Sequence, residues 1–404
     1  MVLKLAARNI WRNKRRTLLS TLALALGVTA IVGFHSIREV ANREMIRGVT
    51  AGLLGHVQVH GRGYQEAPEI ANVVPDARAV EARLQAALPE ARTERRVVGA
   101  GLAGAGETAA PVMVMGIEPR NPAVRALLTI DAGRGLSASP ANEVVLGSNL
   151  ARELGLPPGG ELVLVGQAAD GSLANDRFRV VGTADAGSSE ANETAVFLHL
   201  ADAQSFFALR EGVHQVIVRL PTDEEDLSHP VSLLQATVDL SELEVMAWND
   251  MLPELKGAIE AKRRNSRLIN VIIFLIVSLG VLNTMTMSTF ERTREFGVMA
   301  SLGTRRRRIL GMVLLEVLLQ GLIGFFAGLV FAWMLLHGIG TADLGGLVGG
   351  DVLGAPMPET LRLSVQPGPV AAAALTALLT MLAGGLIPAI RASRLKPVEA
   401  TRYV

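Results

Sequence analysis

The sequence predicts a membrane α-helical protein with four transmembrane helices. Between the first and second it carries an α+β domain, itself interrupted by an inserted, mostly-β subdomain. Three observations predict this. Half of the 404 residues are hydrophobic, and they gather into four blocks each long enough to span a bilayer. Between the first two blocks the apolar pattern changes from helical period to period two. The formal charge is only +1, but positive charge collects in segments flanking the blocks. The absence of cysteine excludes disulfides, zinc–thiolate sites and cysteine nucleophiles.

Residues 1–16 read as an amphipathic entry helix. Leu3, Ala6, Ala7, Ile10 and Trp11 share one side, while Lys4, Arg8, Arg12 and Arg15 share the other, an arrangement suited to anionic headgroups. Residues 17–34 carry no charge and form the first span. A secretory signal also pairs basic residues with an apolar run, but this run is long for one and further spans follow. Residues 268–290, 309–336 and 370–390 are the remaining spans. Arginine and lysine crowd residues 1–16, 291–308 and 391–404, so the positive-inside rule puts all three on the cytoplasmic face. Residues 337–369 and the large segment 35–267 then lie outside. Lys262, Arg263, Arg264 and Arg267 run against the rule, but long translocated domains largely escape it.

Within residues 35–267 the first helix continues outward through Val49. Alternation then places strands at 56–60, 112–115, 144–146, 161–165, 178–181, 195–198, 215–220 and 243–248. Helices are placed at 77–88 and 231–238. The order implies an α+β domain split by a β subdomain at about 125–205. From Asn249 a helical pattern runs into the second span, so two helices form a stalk beneath the domain.

The loop 291–308 is the principal candidate site. It joins charged Glu291, Arg292, Arg294 and Glu295 to an apolar series, Phe296, Met299 and Leu302, and ends in Arg305–Arg308. Such a helix can dock in a partner's groove through its apolar residues, with Glu291, Arg292 and Glu295 setting register. The four arginines read as a topology signal and lipid-phosphate contact rather than a nucleic-acid site, because no reading element lies beside them. Glu316 is the one acid within a span, which points to packing and hydrogen bonding or to a proton relay. Gly324 and Gly328 have the spacing of close helix packing, and Gly384, Gly385 and Pro388 can bend or end the last helix. His56 and His60 read as exposed strand histidines, with no third ligand spaced to complete a metal site. No GxSxG elbow, HExxH pair or GxxxxGK[ST] loop occurs in these residues.

Several stretches resemble one family. LAARNIWRNKRR at 5–16, GHVQVHGRGY at 55–64, EVVLGSNLARELGLPPGGELVLV at 143–165 and FRVVGTADAG at 178–187 resemble its entry helix and exported domain. AWNDMLPEL at 247–255, ERTREFGVMASLGTRRRRI at 291–309 and LIPAIRASRLKPVEATR at 386–402 resemble its second stalk, its loop and its tail. Together they identify the chain as similar to the FtsX-like ABC-transporter permeases with a MacB-like periplasmic core, of the macrolide-exporter and lipoprotein-releasing type.

That resemblance implies a multi-pass protein of the bacterial inner membrane with both termini cytoplasmic. It implies a second permease subunit, identical or not, and a cytoplasmic ABC ATPase dimer. ATP and Mg would be bound by that ATPase; this chain holds no cofactor and no metal and is no enzyme itself. The loop helix would be the coupling element in the ATPase groove. The expected function is periplasmic-side extraction of a lipoprotein or other amphiphile, lipoprotein release toward the outer membrane being favoured by chain length. The alternatives are an efflux permease for drugs or peptides working with an outer-membrane duct, which a co-purifying adaptor protein would favour, and a non-transporting mechanotransmission permease controlling a periplasmic hydrolase. In one respect the chain departs from the family: the hairpin at 166–175 is short, polar and free of proline, unlike the hook with which some permeases of this type recruit a carrier.

Overall fold

A computed structural model describes residues 14–222, 226–339 and 363–394. The expectations for the entry helix, for most of the 337–369 loop and for the tail beyond 394 fall outside these residues. Two compact units divide the chain.

Four helices are long and apolar enough to cross a membrane: α1 (Lys14–Ala51), α4 (Pro253–Glu291), α6 (Arg306–Ile339) and α7 (Pro367–Ser393); α1 from Asn42 onward and α4 before Ile259 belong to the second unit and the rest to the first. A short helix, α5 (Thr293–Ser301), lies between α4 and α6. About 20 residues suffice to cross the hydrocarbon, so α1 and α4, with 38 and 39 residues, run well beyond their spans. Leu24, Val28 and Ile31 of α1, Val277 and Val281 of α4, and Ala377 and Met381 of α7 form one buried core. Opposite faces stay apolar and exposed, as at Leu268, Ile276 and Leu279 of α4, the pattern of helices solvated by lipid. The last helix neither ends nor breaks at Gly384, Gly385 and Pro388. All three are buried, and α7 continues to Ser393.

The second unit is built on one sheet system with strands β1 (Val57–Gly61), β2 (Arg92–Ala105), β3 (Thr108–Ile117), β4 (Thr129–Gly133), β5 (Glu143–Gly147), β6 (Glu161–Gln167), β7 (Leu173–Asp185), β8 (Ala195–His199), β9 (Gln215–Arg219) and β10 (Leu243–Ala247). Helices α2 (Ala77–Ala87) and α3 (Ser228–Gln235) belong to it as well, among several shorter helical segments. Strands β10, β1, β9 and the first part of β2 pair in that order, all antiparallel. With α2 and α3 as crossovers, this is a split β-α-β arrangement. Asp76 caps α2 by accepting from the Ala79 amide at 3.2 Å, and Ala77, Val80 and Leu84 form the buried stripe of that helix.

The second part of β2 leaves that sheet. It pairs with β3 and β6, and the ladder continues β3–β8–β5–β7–β6, closing a ring on β2. The β subdomain therefore begins near residue 97, not near 125, because one 14-residue strand serves both halves. No strand is placed here by alternation: Gly99, Gly101 and Gly104 interrupt the pattern. At Gly99 the ring of Phe207 occupies the space a side chain would take, 2.5 Å from where its Cβ would sit. The β6–β7 hairpin closes in a turn at 168–172, where Asp170 accepts from the Ser172 amide at 3.0 Å.

Neither His56, just before β1, nor His60 within it is exposed. Strand β1 is flanked by β10 and β9, and all five of its residues are buried. His56 Nε2 lies 2.8 Å from the Thr222 carbonyl oxygen, and His60 Nε2 lies 2.7 Å from Gln58 Oε1. Among the described residues no cluster of three metal-ligating side chains occurs.

Candidate functional site

Arg292 makes the corner between α4 and α5. Its backbone (φ −105°, ψ 13°) leaves helical geometry for one residue, and the chain re-enters helix when the Phe296 amide donates to the Arg292 carbonyl at 3.0 Å. The far end is closed by Gly303 (φ 85°). The Gly303 amide donates to the Ala300 carbonyl at 3.1 Å and the Thr304 amide to the Met299 carbonyl at 3.0 Å. This pair of bonds is a Schellman stop, which needs a left-handed residue that glycine supplies without strain. A nine-residue helix is thus defined at both ends by local chemistry.

Tertiary contacts settle which face of α5 turns inward. Thr293, Phe296 and Gly297 are buried. Phe296, 1 % exposed, packs with Ile309, Met312 and Val313 of α6 and with Ala389 and Ala392 of α7, and Met299 half-covers the same cluster. Phe296 and Met299 therefore belong to the protein's own core rather than to an exposed docking face. Leu302, by contrast, is 81 % exposed, and Val298 is exposed beside it. The reason is angular. At about 100° per residue, steps of three slip backward, and Leu302 lies roughly 120° around the axis from Phe296. The outward stripe is Arg294, Val298, Ser301 and Leu302, followed by the exposed Arg305–Arg308; Glu291 is also exposed.

The one carboxylate within a span has a partner. Glu316 of α6 accepts from Arg292 Nη1 at 2.8 Å, and both side chains are nearly inaccessible. Arg292 Nε also donates to Glu295 at 3.1 Å, and its guanidinium carbon lies 5.0 Å from the Phe296 ring centre. A desolvated pair of this kind holds its geometry because either charge alone would be costly to bury. It ties the corner of α5 to the first third of α6. Sequence reading singled out each of these residues without joining them, since 24 positions separate the pair.

Gly324 and Gly328 both face α1. A Cβ on Gly328 would sit 2.7 Å from the Ala25 carbonyl oxygen, and one on Gly324 would sit 3.1 Å from that of Thr21. Thr29 Oγ1 donates across the same contact to the Gly328 carbonyl at 3.1 Å.

The second unit holds a charged group that the sequence reading missed. Glu94, fully buried, pairs with Arg96 and with Arg219 of β9. Arg96 also donates to the Leu53 carbonyl, and Arg219 donates to the Gly52 carbonyl at 2.9 Å. These are carbonyls just past the end of α1, so two guanidiniums close that helix end onto the sheet. Burial alone would raise the Glu94 pKa; the two arginines outweigh it and hold the carboxyl below its ordinary range. The visible signal was two charges two residues apart on one strand face.

Against this geometry, comparison with known proteins is informative. The MacB-like periplasmic core domain matches residues 17–228, and the FtsX-like permease C-terminal domain matches residues 267–397. The chain belongs to the FtsX-like ABC-transporter permeases with a MacB-like periplasmic core. This permease is 25 % identical over 98 % of its length to the pyoverdine export ATP-binding/permease protein PvdT of Pseudomonas entomophila. It is 24 % identical over 98 % to the macrolide export ATP-binding/permease protein MacB of Agrobacterium fabrum. It spans only 59 % and 60 % of those two proteins. With the lipoprotein-releasing system transmembrane protein LolC of Neisseria meningitidis it shares 24 % identity over 96 % of its own length and 94 % of that protein. Among solved structures it is similar to the periplasmic region of MacB from Actinobacillus actinomycetemcomitans, at TM-score 0.37 and 14 % identity, covering 52 % of this chain and 95 % of that one.

Proposed function

We propose that this permease is the membrane subunit of an ATP-driven transporter of the bacterial inner membrane, with α5 as its coupling element. The supporting observation is the α5 corner: a helix set between two spans, clamped from behind by Arg292–Glu316 and Phe296, presenting Leu302 and Val298 with arginines on both sides. A rigidly backed apolar tip with charged neighbours is the form in which a helix docks in a groove and passes on a push. ATP and Mg are assigned to a cytoplasmic ABC ATPase dimer, a reading supported by relatives named as ATP-binding/permease proteins. By the positive-inside rule, Arg305–Arg308 support a cytoplasmic position for α5 and for both termini. A second permease subunit and the bilayer would cover the exposed faces of the long helices. Movement of α5 would pass along the helices to the exported domain, which would extract a lipoprotein or other amphiphile on the periplasmic side. The names of the relatives, covering pyoverdine, macrolides and lipoproteins, are compatible with an amphiphilic cargo.

The test is Leu302→Asp in the permease reconstituted with its ATPase. Leu302 is exposed, so the chain should insert and melt as the parent does, while stimulation of ATP hydrolysis is lost. Phe296→Ala should instead lower stability by about 3–5 kcal/mol, the usual cost of deleting a buried ring. Full stimulation by a stable Leu302→Asp permease would refute the docking assignment.

A further inference from the structure

Two clefts of the second unit adjoin at Pro119, Arg120 and Ala138. The larger, about 710 Å³, is lined by four arginines, Arg78, Arg92, Arg95 and Arg120, against two carboxylates, Glu118 and Glu211. Arg95 is engaged: it pairs with Glu81 at 3.0 Å and with Glu118. The guanidiniums of Arg78, Arg92 and Arg120 have no ion-pair or side-chain hydrogen-bond partner among the described residues. The smaller cleft, about 530 Å³, is lined mostly by apolar side chains, including Ile117, Val124, Leu128, Ile130 and Leu136. Its wall includes β4, a strand exposed along its whole length.

We infer that the paired clefts bind a single-chain amphiphile with an anionic head. The phosphate or carboxylate would lie against Arg92 and Arg120, and the apolar body along Ile130 and Leu136. Both volumes fall in the range of small-molecule sites. Unpaired guanidiniums in a recess offer the forked donors that phosphate and carboxylate accept. The neighbouring apolar walls gain only when a non-polar body displaces water from them. A bare anion would use one cleft and a neutral apolar molecule the other; an anionic amphiphile uses both, with Arg120 at the junction. The inference rests on the permease reading for the side from which the ligand arrives, but the binding itself needs no ATPase.

Isothermal titration of the full chain in nanodiscs of neutral lipid tests it, with empty nanodiscs subtracted and octyl phosphate, inorganic phosphate and octyl glucoside as separate probes. Octyl phosphate should bind saturably, one per chain, at least tenfold tighter than either other probe. The double variant Arg92→Gln/Arg120→Gln, at two exposed positions, should keep its melting temperature and weaken octyl phosphate at least tenfold. Ile130→Asp should weaken octyl phosphate but not inorganic phosphate. Octyl phosphate binding no tighter than inorganic phosphate, or unmoved by the double variant, would overturn the inference. Because ATPase stimulation is measured separately through Leu302, failure of this site and failure of the coupling assignment are distinguishable.

Discussion

Removing the charge of Glu316 should destabilise the helix bundle, and removing Arg292 with it should largely restore it. In Glu316→Met, Arg292 keeps Glu295 at 3.1 Å, but that carboxylate is 41 % exposed and only partly compensates a guanidinium 7 % exposed. The expected cost is about 3 kcal/mol, the lower end for breaking a buried pair. Arg292→Met leaves Glu316 without a charged partner and also forfeits the contact with the Phe296 ring, so its cost should approach about 5 kcal/mol. The double variant Arg292→Met/Glu316→Met replaces the pair with apolar volume and should lie within about 1 kcal/mol of the parent. Unfolding of all four proteins in one detergent gives the coupling energy, expected to be at least about 3 kcal/mol. Additive single losses would show that the two residues do not act as a pair and that the corner of α5 is held some other way.

Two further outcomes follow. Gly328→Leu must push α1 away from α6, because its Cβ would meet the Ala25 carbonyl oxygen at 2.7 Å; thermal stability should fall by several degrees, whereas Gly338→Ala, with nothing within 4 Å, should be neutral or slightly stabilising. Burial lowers the pKa of both His60 and His214 from the ordinary 6.5, with Glu244 opposing it at His60. The unfolded chain therefore binds protons that the folded chain refuses, and stability is full above about pH 6.5 and falls as pH drops below it. Melting temperatures between pH 7.5 and 5.5 should show this loss, and His60→Asn should flatten it.

Much of the fold is legible because local chemistry dictates it. An apolar block too long for a core helix has few places to go except a bilayer, and β1, β5, β8, β9 and β10 announce themselves by short apolar or alternating runs. The α5 helix is bounded by signals visible in the sequence, above all the glycine at 303. Strand β2 is obscured because close approach by Phe207 requires glycine where alternation would require a side chain. In the same way β1 hides His60: residue type says polar, while the strand's position between two others says buried.

The pattern of residues was enough to establish four membrane helices, an intervening domain of mixed type and a charged helical corner between two spans, because hydropathy, period and turn chemistry act within a few residues of themselves. Folding in three dimensions settled the rest. Phe296 turns inward and Leu302 outward because α6 and α7 supply the groove that Phe296 fills. Glu316 finds Arg292, Glu94 finds Arg219, and Arg78 and Arg120 come to line one cleft with Arg92 and Arg95. Each of these depends on partners brought together only by packing, and a charge's meaning depends on what it faces.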